Sequence, residues 1–275
     1  MMQYADNRML PALKAMWKEA FGDEDGYIDL YFSHRYAPEN TLVWTENGSP
    51  IAMMAMLPCR LCANAGELAA RYIYGVATFV RHRGKGISTR LLEYAADIAR
   101  QRGEALFLVP SGKGLYGFYQ ERGYRPFFYL DERTLPCTGE ETAQGSLQPL
   151  LPAEYAALRD RRLGAPGFVR WGQDAVAYVL RENEYLGGRA AALTYHGERH
   201  AALLLKQNKT LLVRETTLPA EELLPAFGAY AKELGCEELR ARLPAPDPAK
   251  AIPFGMLHRD VQIPEPFGYL NLALD

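Results

Sequence analysis

Cysteine is scarce in this 275-residue chain, with four residues at positions 59, 62, 137 and 236. So small and scattered a set excludes a disulfide framework and predicts reduced thiols in a cytoplasmic protein. Cys59-Arg-Leu-Cys62 is a C-x-x-C pair. No second pair or histidine partner stands at zinc-like spacing, so no metal site is expected. No window of about eighteen uninterrupted apolar residues exists, so no membrane span is expected. The start, Met1-Met-Gln-Tyr-Ala-Asp-Asn-Arg8, has no apolar signal core, so export is not expected either. Surplus positive charge is also missing. Thirty-one Lys and Arg against 33 Asp and Glu leave a net charge of −2. That balance cannot neutralise a phosphate backbone, so nucleic acid is not an expected partner.

Two nucleotide motifs are absent as well. A G-x-x-x-x-G-K-[ST] loop does not occur, and the G-x-G-x-x-G fingerprint fails at its third glycine because Ser88 and Thr89 follow Gly86. What does occur is a β-rich run, Tyr72-Ile-Tyr-Gly-Val-Ala-Thr-Phe-Val80, that enters Arg81-His-Arg-Gly-Lys-Gly86 and then Ile87-Ser-Thr-Arg-Leu-Leu92. A strand thus passes through a basic, glycine-punctuated turn straight into an amphipathic helix. Such a junction aims several backbone N–H groups and a helix N-terminus at one spot, which suits a pyrophosphate. Gly84 and Gly86 let the main chain approach the ligand without a Cβ in the way. Arg81, Arg83 and Lys85 add positive charge.

The pattern Arg81-x-x-Gly84-x-Gly86 resembles the coenzyme A pyrophosphate loop of the GNAT acetyltransferase superfamily, [QR]-x-x-G-x-[GA]. A second segment, Leu115-Tyr-Gly-Phe-Tyr-Gln-Glu-Arg-Gly-Tyr124, resembles that superfamily's A-x-x-x-Y-x-x-x-G-[FY], with Leu115 where a smaller residue is usual. The resemblance implies acetyl-CoA as co-substrate. Backbone N–H groups of Arg81, His82, Arg83, Gly84, Lys85 and Gly86 would hold its diphosphate, with the helix start at Ile87, Ser88 and Thr89. The main chain of Val76, Ala77, Thr78 and Val80 would pair with the pantetheine arm like an added strand. Ser111 completes the cofactor-binding set and flanks, with Thr78, the space for the acyl group. Tyr119 becomes the candidate general acid, because a phenol with a pKa of about 10 is well matched to a departing thiolate. The plain alternative is a tyrosine packed among Tyr116, Phe118 and Tyr124.

Length and composition predict two domains. Residues 8–21 and 27–35 read as helices, 41–45 and 51–57 as a hairpin about Asn47-Gly48, and a strand runs from about Leu68 into the loop. Leu91, Leu92, Ala95, Ile98 and Ala99 mark the core stripe of the next helix (85–102). Strand 105–109, a helix at Tyr119 and a closing strand 125–134 complete the α/β pattern of a GNAT fold at 1–135. Residues 136–150 read as a linker. From 151 to 275 the periodicity predicts helices at 152–162 and 169–182 and strands at 189–195, 200–206 and 210–215. A helix at 219–234 and a strand at 238–243 follow, repeating the first half's order. Pro126-Phe-Phe-Tyr-Leu130 has an echo in Pro266-Phe-Gly-Tyr-Leu270. Where the pyrophosphate loop would recur stands Glu215-Thr-Thr-Leu-Pro-Ala220, without the glycine pair or the cations. The second domain is therefore expected to be a degenerate GNAT-like partner without a coenzyme site, as in the paired core of Eis-type acetyltransferases.

The implied function is N-acetyl transfer to a small-molecule or peptide amine. A non-catalytic acyl-CoA sensor, a transferase of bulkier acyl or aminoacyl groups, and a dinucleotide oxidoreductase are the competing readings, the last weakened by the missing glycine. Asp23, Glu24 and Asp25 are candidate amine-binding or basic groups, or simply a solvated acidic turn. Tyr72 and Tyr74 line the acceptor pocket or fill the core. In Eis-type enzymes the C-terminal carboxylate acts near the reaction centre, and this chain ends in a strand-like 269–275. Neither the acceptor nor the oligomeric state is written in these residues.

Overall fold

The computed structural model describes residues 1–137, 146–261 and 263–273. Contacts group them into two units. The first comprises Met1–Phe127 with Gly255–Pro266, and the second Phe128–Phe254 with the segment from Phe267 onward.

In the first unit β1 (Met2–Tyr4), α1 (Leu10–Phe21), α2 (Asp25–His34), β2 (Thr41–Glu46), β3 (Ser49–Ala63) and β4 (Gly66–Thr78) follow in order. Next come α3 (Ile87–Arg102), β5 (Ala105–Leu108) and α4 (Leu115–Gln120), before β6 (Tyr124–Pro136). Neighbouring strands from β1 to β4 pair antiparallel, and β4 pairs parallel with β5. Alternation along β4 sends Ile73 to one face, where it joins Leu91, Leu92, Ala95, Ile98 and Ala99 of α3 in a buried cluster. Tyr72 and Tyr74 point to the other face, where the rings of Trp17 of α1 and Tyr31 of α2 pack tilted against Tyr74. The stripe expected on α3 is the stripe that is buried.

The second unit contains β7 (Leu147–Pro149), α5 (Pro152–Leu163), β8 (Val169–Arg170), α6 (Gln173–Tyr185), β9 (Arg189–Tyr195), β10 (Glu198–Gln207) and β11 (Thr210–Thr216). It continues with α7 (Leu223–Glu233) and β12 (Glu238–Pro244), and β13 (Ile252–His258) follows. β7, β9, β10 and β11 pair antiparallel in turn and β11 pairs parallel with β12. This is the pairing scheme of β1, β2, β3, β4 and β5, so the repeat suspected from element order is present in the topology.

Several expectations need correction. The strand read as closing the first domain, β6, pairs along Leu130–Pro136 with β12 of the second unit. β5 is flanked instead by β13, through Met256–Leu108 and Leu257–Phe107. Pro253 and Gly255 break the alternation that would have announced β13. The stretch read as linker includes a strand, since Leu147–Pro149 pairs with β9, while residues 138–145 lie outside the described residues. The helix expected from Val169 starts at Gln173, because Gly172 is extended (φ −66°, ψ 161°) and the indole of Trp171 is turned inward onto Asn271 C=O. β4 ends at Thr78 and α3 begins at Ile87, two residues later than read. The terminal segment forms isolated bridges at Gly268 and Tyr269 rather than a regular strand, and Leu274 and Asp275 lie outside the described residues. The two echoing segments are partners, since Phe128 bridges Gly268. Among the described residues, no helix is long and apolar enough to cross a membrane.

Candidate active site

The site begins as a divergence of two strands. β4 and β5 pair from Ala70–Ala105 to Ile73–Leu108. There β5 ends, while β4 continues to Thr78. Just beyond the last pair, Ala55 faces Tyr74 and Met53 faces Ala77, so two residues of β4, Gly75 and Val76, stand opposite one of β3, Met54. The extra residue is a bulge, which bends the strand. Gly75 sits in it at φ 60°, and a Cβ there would come within 3.0 Å of the Trp17 ring. Backbone conformation and close packing both require glycine at this position.

Past the bulge, Phe79 N–H donates to Ile51 C=O at 3.1 Å, keeping β4 attached to β3. Backbone polar groups alternate along a strand, so Thr78 C=O and Val80 N–H face the opposite, open edge. Arg83 Nε donates to that Thr78 carbonyl at 3.0 Å, and Val80 N–H donates to the Glu19 carboxylate. Residues 80–82 then form a short 3-10 turn, and Gly84 and Gly86 follow at φ 75° and 72°. A Cβ built on either glycine meets nothing within 4 Å, so the space above them is open. Gly86 caps α3, and the first helical bond runs from Arg90 N–H to Gly86 C=O at 3.1 Å. The N–H groups of Ile87, Ser88 and Thr89 therefore have no acceptor within the helix, and no acidic side chain stands in its first turn. Ile87 is buried as an anchor, whereas Arg81, Arg83 and Lys85 are exposed. His82 accepts from Arg81 Nε at 3.1 Å and turns Nδ1 toward Glu46, 3.4 Å away.

Tyr119 lies on α4, buried in the same cluster as α3, with ring contacts to Phe118 and Tyr124. Burial raises its pKa above the ordinary phenol value, and the nearby Arg122 guanidinium opposes this. Arg122, assigned no role from sequence, ties the two motifs together. Its Nε donates to Thr89 Oγ1 at 2.9 Å, its guanidinium reaches Phe118 C=O, and its plane lies 3.5 Å from the Phe118 ring centroid. Only the invisible spatial approach of residues 89 and 122 could have announced it. Ser111 is exposed in the turn after β5.

The acidic candidates are mostly committed. Asp23 accepts from Trp17 Nε1 at 2.7 Å, and Asp25 pairs with Lys18 at 2.6 Å. Glu24 precedes α2 and caps it with no side-chain hydrogen bond. Tyr72 is buried between Tyr74 and Phe107, and burial raises the Tyr74 phenol strongly. Cys59 and Cys62 lie on β3 as free thiols, and burial pushes the Cys59 thiol up, away from reactivity.

The second unit repeats the bulge and fills the place of the site. Leu203 faces Glu215 and Leu204 faces Val213, so β11 carries one extra residue at Arg214. The carbonyl of Arg214 accepts from Asn271 Nδ2. Glu215 is fully buried, accepting from Arg159 Nε at 2.8 Å, Tyr155 at 3.1 Å and Tyr269 at 3.2 Å. A segment of the chain itself thus occupies the edge that stays open in the first unit.

The acetyltransferase (GNAT) domain model matches residues 2–127. No curated protein sequence matches the chain closely enough to count as a relative. Among solved structures, a GCN5-related N-acetyltransferase from Anabaena variabilis is similar over 95% of this chain and 73% of its own, with a TM-score of 0.74 at 13% identity. One from Kribbella flavida scores 0.69 at 14% identity, covering 94% of this chain and 70% of its own. Eis1 from Mycobacterium abscessus scores 0.65 at 13% identity, covering 94% and 73%. At such identities the likeness is one of fold, and it spans both units.

Proposed function

We propose, from the match of residues 2–127 to the acetyltransferase (GNAT) domain model, that the protein is an N-acetyltransferase moving an acetyl group from acetyl-CoA to a primary amine by direct attack. The observation that carries this reading is the open edge of β4, which leads through the 3-10 turn and the two glycines to the unpaired N–H groups at the start of α3. An extended ligand ending in a diphosphate matches that sequence of donors. In this reading the N–H groups from Gly84 to Thr89 hold the diphosphate, those of His82 and Arg83 being spent within the 3-10 turn on the Phe79 and Val80 carbonyls at 2.8 and 3.1 Å, and the edge from Val76 to Val80 aligns the pantetheine arm. A backbone amide beside the bulge meets the thioester oxygen, where a preorganised donor is worth a few kcal/mol in the transition state. The neutral amine attacks the carbonyl carbon, the carbon–sulfur bond breaks, and Tyr119 passes its proton to the departing thiolate. The proton lost by the new amide returns through solvent to the phenolate. The acceptor is a small-molecule or peptide amine. The raised pKa of Tyr119 keeps the phenol protonated at neutral pH, the form an acid requires.

Calorimetry with acetyl-CoA and a thiol-release screen across an amine library test the reading together. Tyr119→Phe is expected to lower turnover by about 10²- to 10⁴-fold with nearly unchanged donor affinity. In the wild type, activity carried by this acid should be lost only as pH rises above about 10. Unchanged turnover in the variant removes Tyr119 from the chemistry. Binding without thiol release for any amine favours the acyl-CoA sensor, and absence of binding at millimolar donor ends the coenzyme assignment.

A further inference from the structure

We propose that Glu19 and Arg83 form a pair of internal clips that imitate the donor on the open edge of β4 and must be displaced before it binds. The inference rests on the reading above, in which that edge takes the pantetheine arm. An extended strand bonds to a neighbour by donating to the carbonyl of one residue and accepting from the N–H two residues further on. On this edge those groups are Thr78 C=O and Val80 N–H. Arg83 Nε already donates to the first at 3.0 Å, and the Glu19 carboxylate already accepts from the second. A cation and an anion from different elements therefore supply the complementary donor and acceptor that the N–H of one amide and the C=O of the next along an extended ligand would bring.

The surroundings set Glu19 apart. Its neighbours on α1 and in the following loop are paired elsewhere: Lys14 with Asp29, Lys18 with Asp25, and Asp23 with Trp17. Glu19 has no cation within ion-pair distance among the described residues, and the Val80 amide is its one hydrogen-bond partner there. Both clips are exposed, so both can swing away without unpacking the core. The second unit shows the same bulged edge covered by its own chain, with the amide of Asn271 on Arg214 C=O. There the cover is buried with the Glu215 network, whereas in the first unit it is two surface side chains. Displacement also gives Arg83 a second use. Once off Thr78, its guanidinium is free beside the glycine turn, where diphosphate charge would attract it.

Two probes separate the clips from mere electrostatics: CoA by calorimetry, and pantetheine, which is neutral and lacks the diphosphate, by NMR titration. Glu19→Ala is expected to tighten pantetheine about three- to tenfold, the worth of one exposed charge-assisted hydrogen bond no longer competing. CoA should tighten at least as much. Arg83→Ala should tighten pantetheine by a similar factor and weaken CoA, because the clip is lost together with a phosphate cation. A purely structural role for either side chain would weaken both ligands. Glu19→Ala tightening CoA but not pantetheine would reduce the effect to charge repulsion and overturn the clip. Unchanged pantetheine affinity in both variants overturns it too, with the coenzyme reading intact. Wild-type protein and variants that bind neither probe overturn that reading and the clips with it.

Discussion

Gly86 is small in every sense, yet its position makes it the most exposed point of the proposed chemistry to mutation. It combines a φ of 72°, open space where a Cβ would stand, and the role of N-cap to α3. Gly86→Trp therefore places an indole in the diphosphate space and imposes a left-handed backbone on a bulky residue. CoA binding should become undetectable by calorimetry, while the thermal midpoint should move only by the few degrees that about 1–2 kcal/mol of backbone strain implies. Retained CoA affinity would place the diphosphate elsewhere. Both motif glycines could be read from spacing alone. Arg122 and Glu19 could not, because the first acts through Thr89, 33 positions away, and the second through Val80, 61 positions away.

Among the elements, β4 and β11 show how one device serves two ends. Each carries a bulge just after its parallel pairing ends. In β4 the residue in the bulge is glycine and the edge beyond is open; in β11 it is Arg214, followed by a buried glutamate. Glu215 and Arg159 are each 1% exposed, and Arg159 also donates to Val169 C=O and lies over the Phe168 ring. Removing one partner strands the other charge in a dry site. Glu215→Ala is expected to cost about 3–5 kcal/mol of unfolding free energy in urea melts, whereas Arg159→Met with Glu215→Leu should recover most of it. A single variant within about 0.5 kcal/mol of wild type would mean that the network is solvated. The sequence showed that the glycine and cation pattern does not recur here, but gave no sign that Asn271 would cover the edge.

At the scale of the whole chain, the first unit is not a contiguous stretch. β13 lies after β12 in sequence, yet it pairs with β5, whose residues Ala105–Leu108 are all buried. A fragment of residues 1–136 lacks that strand and leaves an apolar strand edge unpaired, a template for aggregation. In size exclusion it should elute as aggregate. The same fragment with residues 251–266 appended through a flexible linker should recover a monomer peak. A monomeric, cooperatively folded 1–136 would show that β13 is dispensable. Reciprocally, β6 begins beside the first unit's motifs but continues into the second unit's sheet through its pairs with β12.

The sequence by itself determined the local elements and the chemistry of the turn. Apolar period marked α3, glycine and charge spacing marked the turn before it, and the order of strands and helices marked the repeat between the two halves, because these signals lie within a few residues of one another. Tertiary structure alone decided where the strand edges meet. It exchanged β6 and β13 between the units, closed one bulged edge with Asn271 and set Glu19 and Arg83 on the other. Hydrogen bonds across an edge join residues by position in space, and no periodicity along the chain encodes that distance.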